Sequence, residues 1–148
     1  MAKEEYIVAI QCIIEYEGKF LLIKRPIGSY GEGDLSFVGG GVEVTDSESE
    51  DILYGALDRE IFEEVGLKIE DPYVYVTTNF FMDGERKIIN NVFYCKLEKT
   101  IPNIIPSPRE VPEYYFMSYD EVMTHDNSPI WIRTYLKKAI NLLKRDFA

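Results

Sequence analysis

Apolar residues gather along the chain into runs separated by short polar breaks. The run from Tyr6 to Tyr16 is β-branched and aromatic, Glu17-Gly18-Lys19 interrupts it, and Phe20 to Ile23 resumes it, which predicts a β-hairpin. Pro26 ends the second strand. The polar, Gly-rich stretch Gly28 to Asp34 predicts a loop that leads into the short apolar segment Leu35 to Val38. From Ile52 the spacing turns helical, with Ala56, Leu57, Ile61 and Val65 on one apolar stripe and Gly66 where such a helix stops. Tyr73 to Met82 and Lys87 to Leu97 read as strands, and Asp83-Gly84 between them is a dipeptide favoured by tight hairpin turns. A Pro-rich connection, Ile101 to Pro112, follows. Ser118 and Glu121 then stand at capping-box spacing for a short helix, and Ser128-Pro129 opens a last amphipathic helix. No repeat or linker breaks the pattern, so strands and helices interleave in one mixed α/β unit over residues 1–148.

Composition narrows the class. A chain of 148 residues with 46% hydrophobic and 28% charged positions has the size and balance of one globular domain, which excludes disorder, collagen and disulfide scaffolds. Sixteen basic against 26 acidic residues leave a net charge of −10, and a surface of that sign repels a nucleic-acid backbone. A small polyphosphate substrate would need a cation between itself and these carboxylates, and a divalent ion is the usual solution. Cys12 and Cys95 lie in apolar strand-like runs and read as reduced core thiols, which points to the cytoplasm. Tyr6 to Ile14 is too short for a bilayer span, carries Gln11 and follows Glu4 and Glu5, so neither a signal peptide nor a membrane partner is expected.

The informative segment is Arg59-Glu60-Ile61-Phe62-Glu63-Glu64-Val65-Gly66-Leu67. At about 100° per residue, Glu60 and Glu64 lie about 40° apart and Glu63 only slightly further round, so three carboxylates share a helix face. Local stability does not choose this arrangement: like charges at i,i+4 cost about 0.2–0.5 kcal/mol, and acids near a helix C-terminus oppose the macrodipole. A hard divalent cation reverses the sign, because Mg²⁺ takes oxygen ligands and is completed by substrate phosphates. The alternative is a solvated acidic face. Arg59 can grip a carboxylate with a bidentate fork, and Gly39-Gly40-Gly41 lets the backbone approach a ligand closely.

Arg59 to Leu67 fits the second half of the Nudix box without a mismatch, and Gly39-Gly40-Gly41-Val42-Glu43 resembles the glycine-rich lead into it. Phe20-Leu21-Leu22-Ile23-Lys24-Arg25 and Glu110-Val111-Pro112-Glu113-Tyr114-Tyr115-Phe116 also resemble features of that family in the expected order. The resemblance implies an α/β/α sandwich with a mixed β-sheet that binds Mg²⁺ or Mn²⁺ and hydrolyses a nucleoside diphosphate linked to another group. It assigns Glu60, Glu63 and Glu64 as metal ligands, with the Gly40 or Gly39 carbonyl as a further one. It makes Arg59 the residue that orients the glutamates. Glu110 matches a loop glutamate that in some members binds metal or acts as base, against the alternative of a solvated loop acid.

The family pattern also meets departures. The residue eight before Arg59 is Asp51 instead of glutamate, and aligning the glycines requires about five extra residues between Glu43 and Asp51. Asp51 is placed to cap the helix start. Val38 stands where proline commonly precedes the glycines. Asp46, Glu48 and Glu50 of the acidic insertion lack the glycine and terminal glutamate of an EF-hand and read as a mobile solvated loop.

Other chemistries lack residues. His125 is the sole histidine, so neither a Ser-His-Asp triad nor a two-histidine zinc site can form, and no Lys-Ser or Lys-Thr pair follows the glycines as a P-loop requires. Lys24 and Arg25 are candidates to touch phosphate, and Tyr30, Phe80 or Phe81 to stack on a base, each with surface or packing roles as the alternative. Two functions remain: a hydrolase of a nucleoside diphosphate derivative, or a catalytically silent module that binds a nucleotide or nucleotide sugar. Oligomeric state, a homodimer included, is open.

Overall fold

Ile7–Tyr16 forms β1 and Lys19–Lys24 forms β2. Glu17 and Gly18 between them take positive φ of 49° and 80°, the pair of left-handed residues that a type I′ hairpin turn needs. The computed structural model describes residues 2–146. Beyond the first hairpin come β3 (Leu35–Ser36), β4 (Val38–Gly41), a 3₁₀ turn (Val44–Glu48), α1 (Ile52–Val65), β5 (Val74–Asp83), β6 (Arg86–Lys96), β7 (Tyr114–Met117), α2 (Tyr119–Thr124) and α3 (Ile130–Asp146).

The sheet is mixed, since β1 pairs with β6 in parallel and every other pairing is antiparallel. Its register shows how the glycines reach the middle. Phe20 pairs with Glu15 of β1 on one side and Met117 of β7 on the other. Further along β2, Ile23 still pairs with β7 through Tyr114, but its other partner is now Ser36 of β3. The segment 35–41 therefore wedges in where β1 and β2 separate, and β4 continues along β1 from Cys12↔Val38 to Ala9↔Gly41.

Alternation along the strands feeds two cores. Ile10, Cys12 and Ile14 of β1 pack with Phe93 and Cys95 against Ala56, Leu57, Ile61 and Val65 of α1, the apolar stripe read from the sequence. On the opposite face, Ile13, Leu22, Val92 and Tyr94 pack against Ile132, Leu136 and Ala139 of α3. Helices thus cover both faces, which is the expected α/β/α sandwich with a mixed sheet. Cys12 and Cys95 are buried free thiols, and burial pushes the Cys95 thiol up to about 12. No described helix is long and apolar enough to cross a membrane.

The local signals held at both ends of α1. The Asp51 side chain accepts from the backbone N–H of Leu53 at 3.0 Å and Tyr54 at 3.3 Å, and Gly66 ends the helix at φ 72°. Ser118 and Glu121 form the reciprocal capping box of α2. The β5–β6 turn is centred one residue later than expected: Asp83 pairs with Arg86, so Gly84 and Glu85 are the central pair. Gly84 alone has positive φ, at 61°, and glycine at the first central position is the demand of a type II′ turn.

Asp71 ties the segment before β5 to the end of β6, accepting from the N–H of Glu98 at 3.2 Å, Lys99 at 2.9 Å and Thr100 at 3.0 Å. Burial opposes its charge, but the bonds from Thr100 and these amides outweigh it and hold the carboxyl below its ordinary value. Its stabilisation is complete above the unfolded value of about 3.9 and is lost as pH falls through the lower folded value. Asp71→Ala is expected to cost about 1–3 kcal/mol at neutral pH, with a smaller difference from the parent at pH 3, measured by urea unfolding.

Candidate active site

The carboxylate row of α1 faces the three glycines of β4. Gly40 lies against Glu60 so closely that a Cβ built on it would stand 2.5 and 2.6 Å from the two carboxylate oxygens. A Cβ on Gly39 would overlap the Ile10 carbonyl oxygen. The Gly39 N–H donates to Glu64 Oε1 at 2.9 Å. Both glycines are in extended β4, so close approach is what excludes larger residues here.

Arg59 joins the row to the rest of the site. Its Nη1 donates to Glu60 Oε1 at 2.9 Å and to Glu63 Oε2 at 3.2 Å, and its Nη2 donates to the Gly41 carbonyl at 2.8 Å. The bidentate grip on a carboxylate is made on Asp46, whose two oxygens Nε and Nη2 reach at 2.8 and 3.0 Å. Asp46 is only 5% exposed, and the Arg59 guanidinium, together with the Glu43 N–H, holds its carboxyl below the usual range against burial. The expectation that Asp46, Glu48 and Glu50 form a mobile solvated loop therefore fails at Asp46. The stretch closes as a 3₁₀ turn in which the Glu43 N–H donates to Asp46 Oδ2 at 2.7 Å. The three-residue spacing of Glu43 and Asp46 was the sequence signal for this, masked by the surrounding charges.

The three glutamates differ sharply in environment. Glu63 is exposed, Glu60 is half-buried and Glu64 is buried. Burial is the main cause that pushes the Glu64 carboxyl up to about 8; the Gly39 N–H opposes it, Glu60 and Glu110 add to it, and Arg25 opposes it. Burial also raises Glu60, against Arg59, with Glu63 and Glu110 adding repulsion. Glu110, itself exposed, thus acts on both carboxyls from the 101–112 segment, which is anchored to the end of α1 where Ser107 N–H donates to the Glu64 carbonyl at 2.8 Å. Among the described residues, no three acidic, histidine or cysteine side chains converge on one point suited to an ion. The reason is visible in the bonds: Glu60 and Glu63 turn to Arg59, and Glu64 turns to Gly39.

Beside β4 opens a cavity of about 320 Å³. Gly39, Gly40 and Gly41 line it and also carry the contacts to Glu64, Glu60 and Arg59, so this strand is the wall shared by the cavity and the carboxylates. Arg25 and Tyr30 line it, with the Arg25 Nε–H donating to the Tyr30 carbonyl at 3.0 Å. Tyr30 stacks on Phe81 with centroids 5.5 Å apart and has Trp131 at 6.4 Å. Lys24 is not among the lining residues, and Phe80 packs edge-on against Tyr6. The sequence reading missed the amides in this cavity, Gln11, Asn79 and Asn90. Their signal was a polar residue inside an apolar strand run, as at Gln11.

The family model described as NUDIX domain matches residues 5–138. Among solved structures, the MutT protein from Methanosarcina mazei Go1 is 22% identical, with a TM-score of 0.78 over 97% of this chain and 99% of its own. The E. coli ORF135 protein is 25% identical, with a TM-score of 0.71 over 93% of this chain and 91% of its own. A C. elegans Ap4A hydrolase is 18% identical, with a TM-score of 0.73 over 93% of this chain and 98% of its own. No curated protein matches the chain.

Asp46 holds a part-buried charge pair whose removal leaves Arg59 without its bidentate partner. Asp46→Ala is expected to lower stability by about 1–3 kcal/mol, read by urea unfolding, and an unchanged midpoint would show that Arg59 is held by its other partners alone.

Proposed function

The chain belongs to the NUDIX domain family, and on that premise we propose that it is a metal-dependent hydrolase cleaving the diphosphate linkage of a nucleoside diphosphate derivative. The observation that carries this reading is the Gly39-Gly40-Gly41 run of β4, pressed between the carboxylate row of α1 and a cavity that holds Arg25. One of the structural neighbours is an Ap4A hydrolase, which supports a nucleotide substrate.

The donor set is chemically suited to a hard divalent cation. Glu60, Glu63, Glu64 and the Gly40 carbonyl offer only oxygen, and the mutual repulsion of Glu60, Glu64 and Glu110 is relieved by positive charge, so these residues would hold Mg²⁺ or Mn²⁺. When bound, such an ion polarises the phosphoryl oxygens and acidifies water. Arg59 is the positioning residue: anchored on Asp46 and Gly41, it sets the directions of Glu60 and Glu63. Gly39 sets Glu64 through its N–H.

Arg25 forms no ion pair among the described residues, and with its Nε–H given to the Tyr30 carbonyl its terminal nitrogens are the cationic contact for substrate phosphate in a chain of net charge −10. Glu110 takes the proton of the water that attacks phosphorus in line with the leaving phosphate. The second reading is a module that binds without turnover; the lack of three converging acidic side chains among the described residues favours it.

Screening nucleoside triphosphates, nucleotide sugars, ADP-ribose and dinucleotides with Mg²⁺ or Mn²⁺ for phosphate or monophosphate release separates the two. Release is expected, and EDTA abolishes it. Glu64→Gln and Glu63→Gln are expected to lower kcat by more than the roughly 10–100-fold that loss of an outer partner of a metal site costs, with circular dichroism unchanged. Tight binding in calorimetry with no release in either metal would establish the silent module instead.

A further inference from the structure

The two edges of the sheet differ. One is made of β3, with two residues, and β7, with four. The other is β5, which runs over ten residues and stands outermost beside β6. Among the described residues nothing pairs with its outer side. Native edge strands are blunted by shortness, charge, proline or a bulge. One irregularity falls between Tyr75 and Thr77, and beyond it Thr77 to Met82 carry neither charge nor proline in a chain that is 28% charged.

The β5–β6 turn decides which backbone groups point outward. Asp83 and Arg86 flank its two central residues, so they form the bonded pair that closes the hairpin, and alternation makes Phe81 and Asn79 bonded to β6 as well. Thr78, Phe80 and Met82 therefore aim their N–H and C=O groups away from β6. Their side chains share the face of Ile89 and Phe93, which α1 covers at Phe93 and leaves open further along the strand, where Phe80 is 54% and Met82 45% exposed.

We propose that β5 pairs antiparallel with β5 of a second copy of this chain about a two-fold axis through Phe80, so that the sheet continues across a homodimer. The regular stretch from Thr77 to Asp83 is centred on Phe80. An axis moved toward Thr78 runs the pairing into the irregularity, and one moved toward Met82 runs it into the turn at Gly84. In the Phe80 register, Phe80 faces the partner's Phe80 and Thr78 faces the partner's Met82. Each such pair exchanges two backbone bonds, so three pairs make six.

Charge also matches. Thr77 stands opposite the partner's Asp83, and Lys138 Nζ of α3 lies 3.4 Å from Thr77 Oγ1, so each copy brings an ammonium toward the other's carboxylate. Two chains of net charge −10 repel one another, and they approach where the surface is uncharged or carries opposite charges. At about one bond per 100–200 Å², six backbone bonds correspond to roughly 600–1,200 Å² of interface, around the lower limit of about 1,000 Å² for a specific pair. The dimer is accordingly weak, and it closes, because the two-fold axis uses the long edge of both copies.

Sedimentation equilibrium of the whole chain from about 1 μM to about 1 mM is expected to show the mass rising from one chain to two and no further. Phe80→Lys and Phe80→Glu each set like charges against one another on the axis and are expected to weaken association about tenfold or more, with circular dichroism unchanged. Mixing the two variants sets opposite charges there and is expected to restore the dimer as a heterodimer. Met82→Lys, at an exposed position facing Thr78, is expected to weaken association too and serves if substitution at Phe80 unfolds the strand. A single-chain mass over the whole range would overturn the proposal and leave this edge to a different protein. A mass that passes two chains, a dimer that all three variants leave intact, or a mixture that associates no better than its parts would each overturn it as well.

Discussion

A single methyl group at Gly40 would overlap the Glu60 carboxylate, and one at Gly39 would overlap the β1 backbone, so β4 has room for no side chain where it faces α1. This contact sets the positions of the candidate site's groups around it. It brings a backbone N–H to Glu64 and a carbonyl to Arg59. It also leaves space on the side of the cavity that a side chain would fill. β4 sits there because β1 and β2 separate and the 35–41 segment enters between them.

Charge is organised around one guanidinium. Arg59 meets Asp46, Glu60, Glu63 and Glu43 within ion-pair distance, and its own acidity is weakened first by the bond to Asp46. Asp46 is the least exposed of these carboxylates and Glu63 and Glu43 are open to solvent, so the pair with Asp46 fixes the arginine while the outer acids keep their freedom. Burial then separates the glutamates by environment, leaving Glu64 the one most in need of a compensating charge. In a chain of net charge −10 the cations beside the carboxylates are few and local, with Arg59 among them and Arg25 at the cavity wall.

The polar floor of the cavity shows the same economy of partners. Gln11, Asn90 and Ser36 exhaust one another in a chain that ends on a backbone carbonyl, and Asn79 Oδ1 is buried without a partner. A core that packed apolar residues at these positions would be easier to stabilise.

Sequence alone determined the elements whose cause is local. The apolar stripe of α1, Asp51 and Gly66 at its ends, the capping box of α2 and the two hairpins depend on residues a few positions apart, so spacing revealed them. The carboxylate row was legible for the same reason, since three glutamates within one turn of helix need no knowledge of the rest of the chain. What each carboxylate does was not legible, because Arg59 and Asp46 are 13 residues apart, Gly39 and Glu64 are 25 apart, and Asn90 and Gln11 are 79 apart. Asp46 among other acids looks like a solvated charge, and Gln11 among β-branched residues looks like an interruption. Only the folded sheet, by closing those separations and removing water from one side of each group, turns the first into an anchor and the second into the floor of a site.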